Sequence, residues 1–206
     1  MTEVGASRRA ALSYSYTHIP GVDGRTVPTD FAVRFLGRHK GATRLASIGA
    51  LYAHYTAWEA IVRSGRPGIV LEDDAALVRG FDETLLESCE GIVLLGGVLR
   101  TSGAWSREKA EFLDSGAYAR LHNTFKTGLN PMPSKKFTMA IAYYVPLAVA
   151  TRLVSRAKES AHLKVIDAFL SITGWVEYLY FPNPFREPTD STSQCGSPAG
   201  DLHADG

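Results

Sequence analysis

Glu72, Asp73 and Asp74 stand directly behind the apolar run Ile69-Val70-Leu71. The run reads as the end of a buried strand, which would deliver the three carboxylates together at that strand's C-terminal edge. Neighbouring anions repel one another unless a cation sits among them, and hard oxygen ligands at this density suit Mg²⁺ or Mn²⁺. In open α/β sheets, ligands collect outside the carboxyl ends of the strands, so an ion held here is placed to clamp the diphosphate of a nucleotide. The same triplet also fits a simpler role, a solvated acidic turn after a strand.

The elements that must carry this corner follow from periodicity and punctuation. Leu45, Ile48, Tyr52 and Val62 recur at helical spacing between Thr43 and Ser64. Gly65-Arg66-Pro67-Gly68 ends that helix, with glycine as the cap and proline beyond it. After the strand to Leu71, Phe81–Cys89 reads as a short amphipathic helix. Gly91–Leu95 then reads as a second short buried strand, ending at Gly96-Gly97. This alternation of helix and strand from 43 to 95 predicts a mostly parallel sheet. Downstream, Phe137–Val145 reads as a strand, Pro146 opens a helix to about Ser160, Val165–Ile172 forms another helix and Val176–Phe181 a last strand. Upstream, Leu12–Ile19 alternates as a strand before the turn Pro20–Gly24, and Phe31–Leu36 fits a short helix. Val98–Ser134 is the least regular stretch and predicts loops with one helix.

A chain of 206 residues that is 45% hydrophobic can bury one ordinary core. Residues 1–187 are expected to form one domain, and the Pro-, Ser-, Thr- and Gly-rich residues 188–206 a disordered tail. No apolar run reaches the roughly 18 residues of a membrane span, and Met1–Arg9 lacks the apolar stretch of a secretory signal. Cys89 and Cys195 lie far apart without metal-type spacing. They read as free thiols in a reducing compartment, so a cytoplasmic protein is expected. The net charge of +1 hides a segregation: +4 over residues 1–65, −5 over 66–99, +7 over 100–164 and −5 over 165–206. Such a basic middle attracts the phosphates of a nucleotide, a lipid head group or nucleic acid. A pair of solvated helices with Lys and Arg facing out would look the same.

The helix before the triplet, Ser47-Ile48-Gly49-Ala50-Leu51-Tyr52-Ala53-His54-Tyr55-Thr56-Ala57-Trp58, followed by Leu71-Glu72-Asp73-Asp74, resembles glycosyltransferase family 25. That family includes lipopolysaccharide and collagen sugar transferases. Weaker likenesses come in the same order: Val22-Asp23-Gly24-Arg25, Ile92–Gly96, Ala142-Tyr143-Tyr144 and Val165-Ile166-Asp167-Ala168-Phe169-Leu170. Together they span residues 18–185. Two positions depart from the pattern, since Ala53 replaces the serine of a Ser-His pair and Ala50 replaces a cysteine. The family's opening strand and nucleoside-pocket segment have no counterpart before Val22, so the base is expected to be held differently or the donor bound weakly.

The resemblance implies an α/β, GT-A-like single domain that transfers a hexose from a nucleoside diphosphate donor, usually UDP-linked, with Mn²⁺ (or Mg²⁺). A glycan or lipopolysaccharide would be the acceptor. Asp74 and Glu72 are then the candidate metal ligands, with Glu72 also able to act through the ribose or a metal-bound water. Asp73, Gly49 and His54 join Glu72 as candidate donor-binding residues. Asp167 is the candidate general base, because inversion at the anomeric carbon needs a carboxylate to take the acceptor hydroxyl proton; it serves equally well as the N-cap of a helix from Ala168. His54 fits a hydrogen-bonded core position as readily as a donor contact, and Trp58 fits core packing. Lys135 and Lys136 can neutralise a diphosphate or simply face water. Two other functions suit the same residues: a sugar transferase acting on DNA with a hydroxymethylated base, motivated by the basic block, and a catalytically silent nucleotide-sugar-binding module.

Overall fold

The computed structural model describes residues 16–36, 41–99, 126–132 and 137–186. Among these residues five helices and seven strands follow one another in this order: α1 (Thr29–Ala32), α2 (Gly41–Ser64), β1 (Gly68–Leu71), β2 (Ala76–Leu77), α3 (Thr84–Glu87), β3 (Ile92–Leu99), β4 (Gly128–Pro131), β5 (Phe137–Val145), α4 (Leu147–Glu159), α5 (Ile166–Thr173), β6 (Val176–Phe181) and β7 (Phe185–Arg186). The protein is a mixed α/β fold in which one five-stranded sheet, ordered β1-β5-β3-β6-β4, carries helices on its face. A two-stranded ribbon, β2 with β7, lies apart from it in hydrogen bonding.

The sheet is mostly antiparallel, which corrects the mostly parallel sheet expected from the sequence. Among its described strands, β3 and β6 pair in parallel, whereas β1 with β5, β3 with β5 and β4 with β6 are antiparallel. The physical reason lies in β5. The helix–strand alternation does send β1, β3 and β6 in one direction, but β5 inserts between β1 and β3 and runs against both. Burial on both faces conceals this from sequence, because a doubly covered strand is apolar throughout whichever way its neighbours run. Ile92 and Leu94 join the core under the helices, while Val93 and Leu95 join the opposite one. Tyr143 and Val145 divide from Ala142 and Tyr144 in the same way.

The larger core lies between the sheet and α2, α4 and α5. Helix α2 buries Ile48, Leu51, Tyr55, Trp58 and Ile61 at three- and four-residue steps, the spacing that makes one stripe of a helix apolar. Trp58 is fully buried and stacks on Phe169 of α5, ring centroids 5.7 Å apart. Fully buried side chains of this kind each contribute about 1.5–3 kcal/mol. Gly65 ends α2 at φ 66°, a left-handed conformation that other residues rarely adopt. At the far end of α4, Arg34 donates from Nη1 to the carbonyls of Ala157, Lys158 and Ser160 at 2.7, 2.8 and 3.0 Å. The guanidinium thus satisfies carbonyls that the helix end leaves without intrahelical donors.

Several boundaries differ from the sequence expectations. The helix expected over Phe31–Leu36 is α1, three residues earlier in its centre, and Phe35 instead bridges to Leu163. The expected helix Phe81–Cys89 shrinks to α3, because Asp82 Oδ1 accepts the N–H and hydroxyl of Thr84 and Phe81 packs on Tyr180 and Phe185. Strand β3 does not end at Gly96-Gly97 but continues to Leu99, since β5 runs alongside it throughout. Gly96 fits there because a Cβ would lie only 2.8 Å from the Phe185 carbonyl oxygen. Strands β2, β4 and β7 were not expected. Of the strand expected over 12–19, residues 16–19 have no strand structure, and 12–15 lie outside the described residues. The tail expected over 188–206 also lies outside them, as does Cys195, whereas Cys89 is a buried free thiol. Among the described residues no helix is long and apolar enough to cross a membrane.

Candidate functional site

Because β1, β3 and β6 point the same way, their carboxyl ends share one edge of the sheet. The acidic triplet emerges there. Strand β1 stops at Leu71, opposite Ala142 of β5, and the Glu72 N–H continues the pairing by donating to the Ile141 carbonyl at 2.8 Å. The Ala75 N–H then closes on the Glu72 carbonyl at 3.1 Å, so Asp73 and Asp74 occupy the two central positions of a tight turn leading into β2. Asp73 is exposed, while Glu72 and Asp74 are half-buried. A solvated acidic turn therefore describes Asp73 well and the other two incompletely.

Glu72 is held from beneath. His54, buried on α2, places Nε2 3.3 Å from Glu72 Oε1 and Nδ1 2.7 Å from Tyr143 Oη. The Trp58 indole N–H donates to the same Tyr143 oxygen at 3.1 Å. His54 also stacks on the Tyr143 ring, centroids 5.7 Å apart. Trp58, Tyr143, His54 and Glu72 thus form one continuous polar chain, from the floor of the core to the carboxylate at the sheet edge. Burial pushes the Tyr143 phenol well above its ordinary range; the Trp58 hydrogen bond opposes this, and the negative charges of Glu72 and Asp167 add to it.

Asp167 arrives from the other side of the same level of β5. Between the pairs Gly96↔Ala142 and Val98↔Thr138, β5 holds two more residues than β3, so the ladder is interrupted there. The freed Ala140 N–H donates to Asp167 Oδ1 at 3.1 Å. The N-cap of α5 is Val165, so Asp167 lies inside the first turn rather than capping it. Its charge still suits the positive end of that helix. Ala140 and Ile141, which receive Asp167 and Glu72 respectively, are adjacent in β5. The structure therefore brings Glu72, Asp167 and His54 together around Tyr143, with Asp73 and Asp74 one turn beyond Glu72.

Gly49 faces a different neighbour. A Cβ there would lie 2.0 Å from the Val22 carbonyl oxygen, so its close approach is to the segment 22–24 laid across the start of α2. On that segment Arg25 and Asp23 form an exposed ion pair, and the Arg25 guanidinium lowers the Asp23 carboxyl to about 2. Lys135 and Lys136 lie outside the described residues, as does all of the stretch 100–125 that opens the basic block. Two basic residues of that block which are described serve packing: Arg152 sits 5.0 Å over the Trp175 ring and Lys158 pairs with Glu59 at 3.4 Å. Tyr143 is the member of the polar chain that sequence reading passed over. Its signal was available, because a tyrosine inside an otherwise apolar strand needs a partner for its hydroxyl.

Among the described residues no three His, Cys, Asp or Glu side chains converge into a ready-made metal cage. The donor chemistry at the triplet fits a different arrangement, an ion held by one or two carboxylates and completed by phosphate oxygens and water, as is usual for Mg²⁺. A scan with protein-family models gave no match, and neither did a comparison with curated protein sequences.

Proposed function

We propose that this protein is a metal-dependent glycosyltransferase of GT-A-like design, moving a hexose from a nucleoside diphosphate, UDP by resemblance, to a hydroxyl of a glycan or lipopolysaccharide. The observation that carries the proposal is the shared sheet edge: a fixed Glu72, the Asp73–Asp74 turn and Asp167 meet at adjacent residues of β5. Such a grouping suits a reaction in which a diphosphate departs and a hydroxyl loses its proton.

In this reading Asp74 and Glu72 would hold Mn²⁺ or Mg²⁺, which would supply positive charge against that developing on a leaving diphosphate. Glu72 enters that role with one oxygen already fixed by His54. Asp73, exposed at the turn, approaches the donor from the solvent side. Asp167 takes the proton from the acceptor hydroxyl as the new glycosidic bond forms at the anomeric carbon. The Ala140 N–H, donating to Oδ1, orients the carboxylate for that work. His54, buried beneath Glu72, reaches the donor only through that carboxylate.

The test is a donor screen. UDP-glucose, UDP-galactose and UDP-N-acetylglucosamine are each added with and without Mn²⁺, reading thermal shift and UDP release. A ligand raises the melting temperature only if it prefers the native state. A Mn²⁺-dependent shift and UDP release with one donor are expected. Neither effect with any nucleotide sugar would overturn the proposal.

A further inference from the structure

We infer that Tyr143 is a positioning residue that fixes the tautomer of His54 and, through it, the orientation of the Glu72 carboxylate. The inference follows from counting protons along the buried chain. An indole nitrogen can only donate, so Trp58 Nε1–H occupies one lone pair of Tyr143 Oη at 3.1 Å. The phenol has one proton of its own, and the ring nitrogen 2.7 Å away, His54 Nδ1, is placed to accept it. A neutral imidazole with Nδ1 accepting carries its proton on Nε2. That proton faces Glu72 Oε1 at 3.3 Å. Each donor in the chain meets an acceptor, and the order runs one way: Trp58 to Tyr143, Tyr143 to His54, His54 to Glu72.

The opposite order leaves a fault. Were Nδ1 the protonated nitrogen, Tyr143 Oη would accept from both Trp58 and His54, and its own hydrogen would be buried without an acceptor in this chain, while Nε2 would turn a lone pair toward a carboxylate oxygen. Both are costly in a buried setting. Tyr143 is fully buried and His54 nearly so, which leaves water little access to repair either fault. The chemistry is that of metal sites whose ligands are oriented by a partner behind them. One oxygen of Glu72 is thereby held by His54.

The consequence for ion binding rests on the reading of Glu72 as a donor-site carboxylate; the proton order does not. The experiment separates the two. Full-length protein labelled with ¹⁵N-histidine is examined without ligand at neutral pH by long-range ¹⁵N–¹H correlation, with His54→Gln identifying the His54 signals among the six histidines. The Nε2–H pattern is expected in the wild type and also in Glu72→Gln, whose amide oxygen can still accept. A mixed pattern is expected in Tyr143→Phe. An Nδ1–H pattern in the wild type overturns the inference without recourse to any variant, as does an unchanged pattern in Tyr143→Phe. Mn²⁺ titrated with UDP should then bind about 10–100-fold more weakly to Tyr143→Phe. Equal affinity in the two proteins also overturns the positioning role. Absence of Mn²⁺ and UDP binding to the wild type would instead sink the transferase reading, leaving the tautomer patterns to decide the inference.

Discussion

Gly49→Ala distinguishes this structure from a generic helical one by the sign of its effect. In the interior of an exposed helix the change stabilises by about 1 kcal/mol, because glycine is a poor helix former. Here the new carbon would stand 2.0 Å from the Val22 carbonyl oxygen and 3.1 Å from the Gly24 nitrogen. The first distance is roughly 1.5 Å short of ordinary contact. Both obstacles are backbone, so no side-chain rotation relieves them. Gly24 faces Leu45 with the same intimacy, its own added carbon falling 2.0 Å from the Leu45 carbonyl oxygen. The segment 22–24 must therefore lift off α2, and overpacking of this sort costs about 1–3 kcal/mol after the helix gain is subtracted. For a chain of this size that lowers the melting temperature by roughly 3–10 °C. Gly80→Ala is the control, since a carbon there meets open space and should change stability by no more than about 0.5 kcal/mol. Urea unfolding followed by tryptophan fluorescence measures both. A Gly49→Ala protein more stable than the wild type would refute the packing of 22–24 on α2.

Three further outcomes follow from particular contacts. Asp167→Asn keeps an acceptor for the Ala140 N–H but loses the proposed base, so transfer should fall about 10²- to 10⁴-fold with donor affinity unchanged by calorimetry; undiminished turnover would remove Asp167 from the chemistry. Arg34→Met strips three carbonyls at the end of α4 of their donor and should cost about 1–3 kcal/mol in urea unfolding, a loss below about 0.5 kcal/mol counting against the cap. Burial raises the Tyr143 phenol above its ordinary value of 10.0, so native and unfolded chains both keep its proton below that pH. Above it the unfolded chain sheds the proton first, and stability falls by up to about 1.4 kcal/mol per pH unit. Tyr144 and Tyr55 are also raised by burial and add to the decline. Comparing urea melts at about pH 9 and about pH 11, Tyr143→Phe should show a shallower decline than the wild type, and an equal slope would contradict the assignment.

Local signals carried well into the structure where one feature dominated. The long helix to Ser64, its glycine stop, the strand ending at Leu71 and the strand Val176–Phe181 all stand where periodicity and punctuation put them. Pairing was a different matter. Strand direction depends on which neighbour lies alongside, and the insertion of β5 between β1 and β3 is a long-range event that the residues 43–95 do not encode by themselves. The short strands β2 and β7 are two residues each and leave almost no pattern to find. At the candidate site, the strand end singled out Glu72, Asp73 and Asp74, and the family resemblance added His54 and Asp167, but neither told what each touches. His54 lies beneath Glu72 because α2 crosses the sheet at Tyr143, a contact between residues 89 apart in the chain. Asp167 meets Ala140 because of a bulge in β5, which no local pattern announces.

The proposition on which the functional reading stands is that the turn at 72–74 grips an ion bound to a diphosphate. Crystals grown with Mn²⁺ and UDP, with data collected at the manganese absorption edge, address it without reference to turnover. The expected result is one anomalous peak bridging the UDP phosphates and the carboxylates of Glu72 and Asp74, lost in Asp74→Asn. Manganese and UDP bound elsewhere on the protein, with the 72–74 carboxylates turned to water, would contradict it.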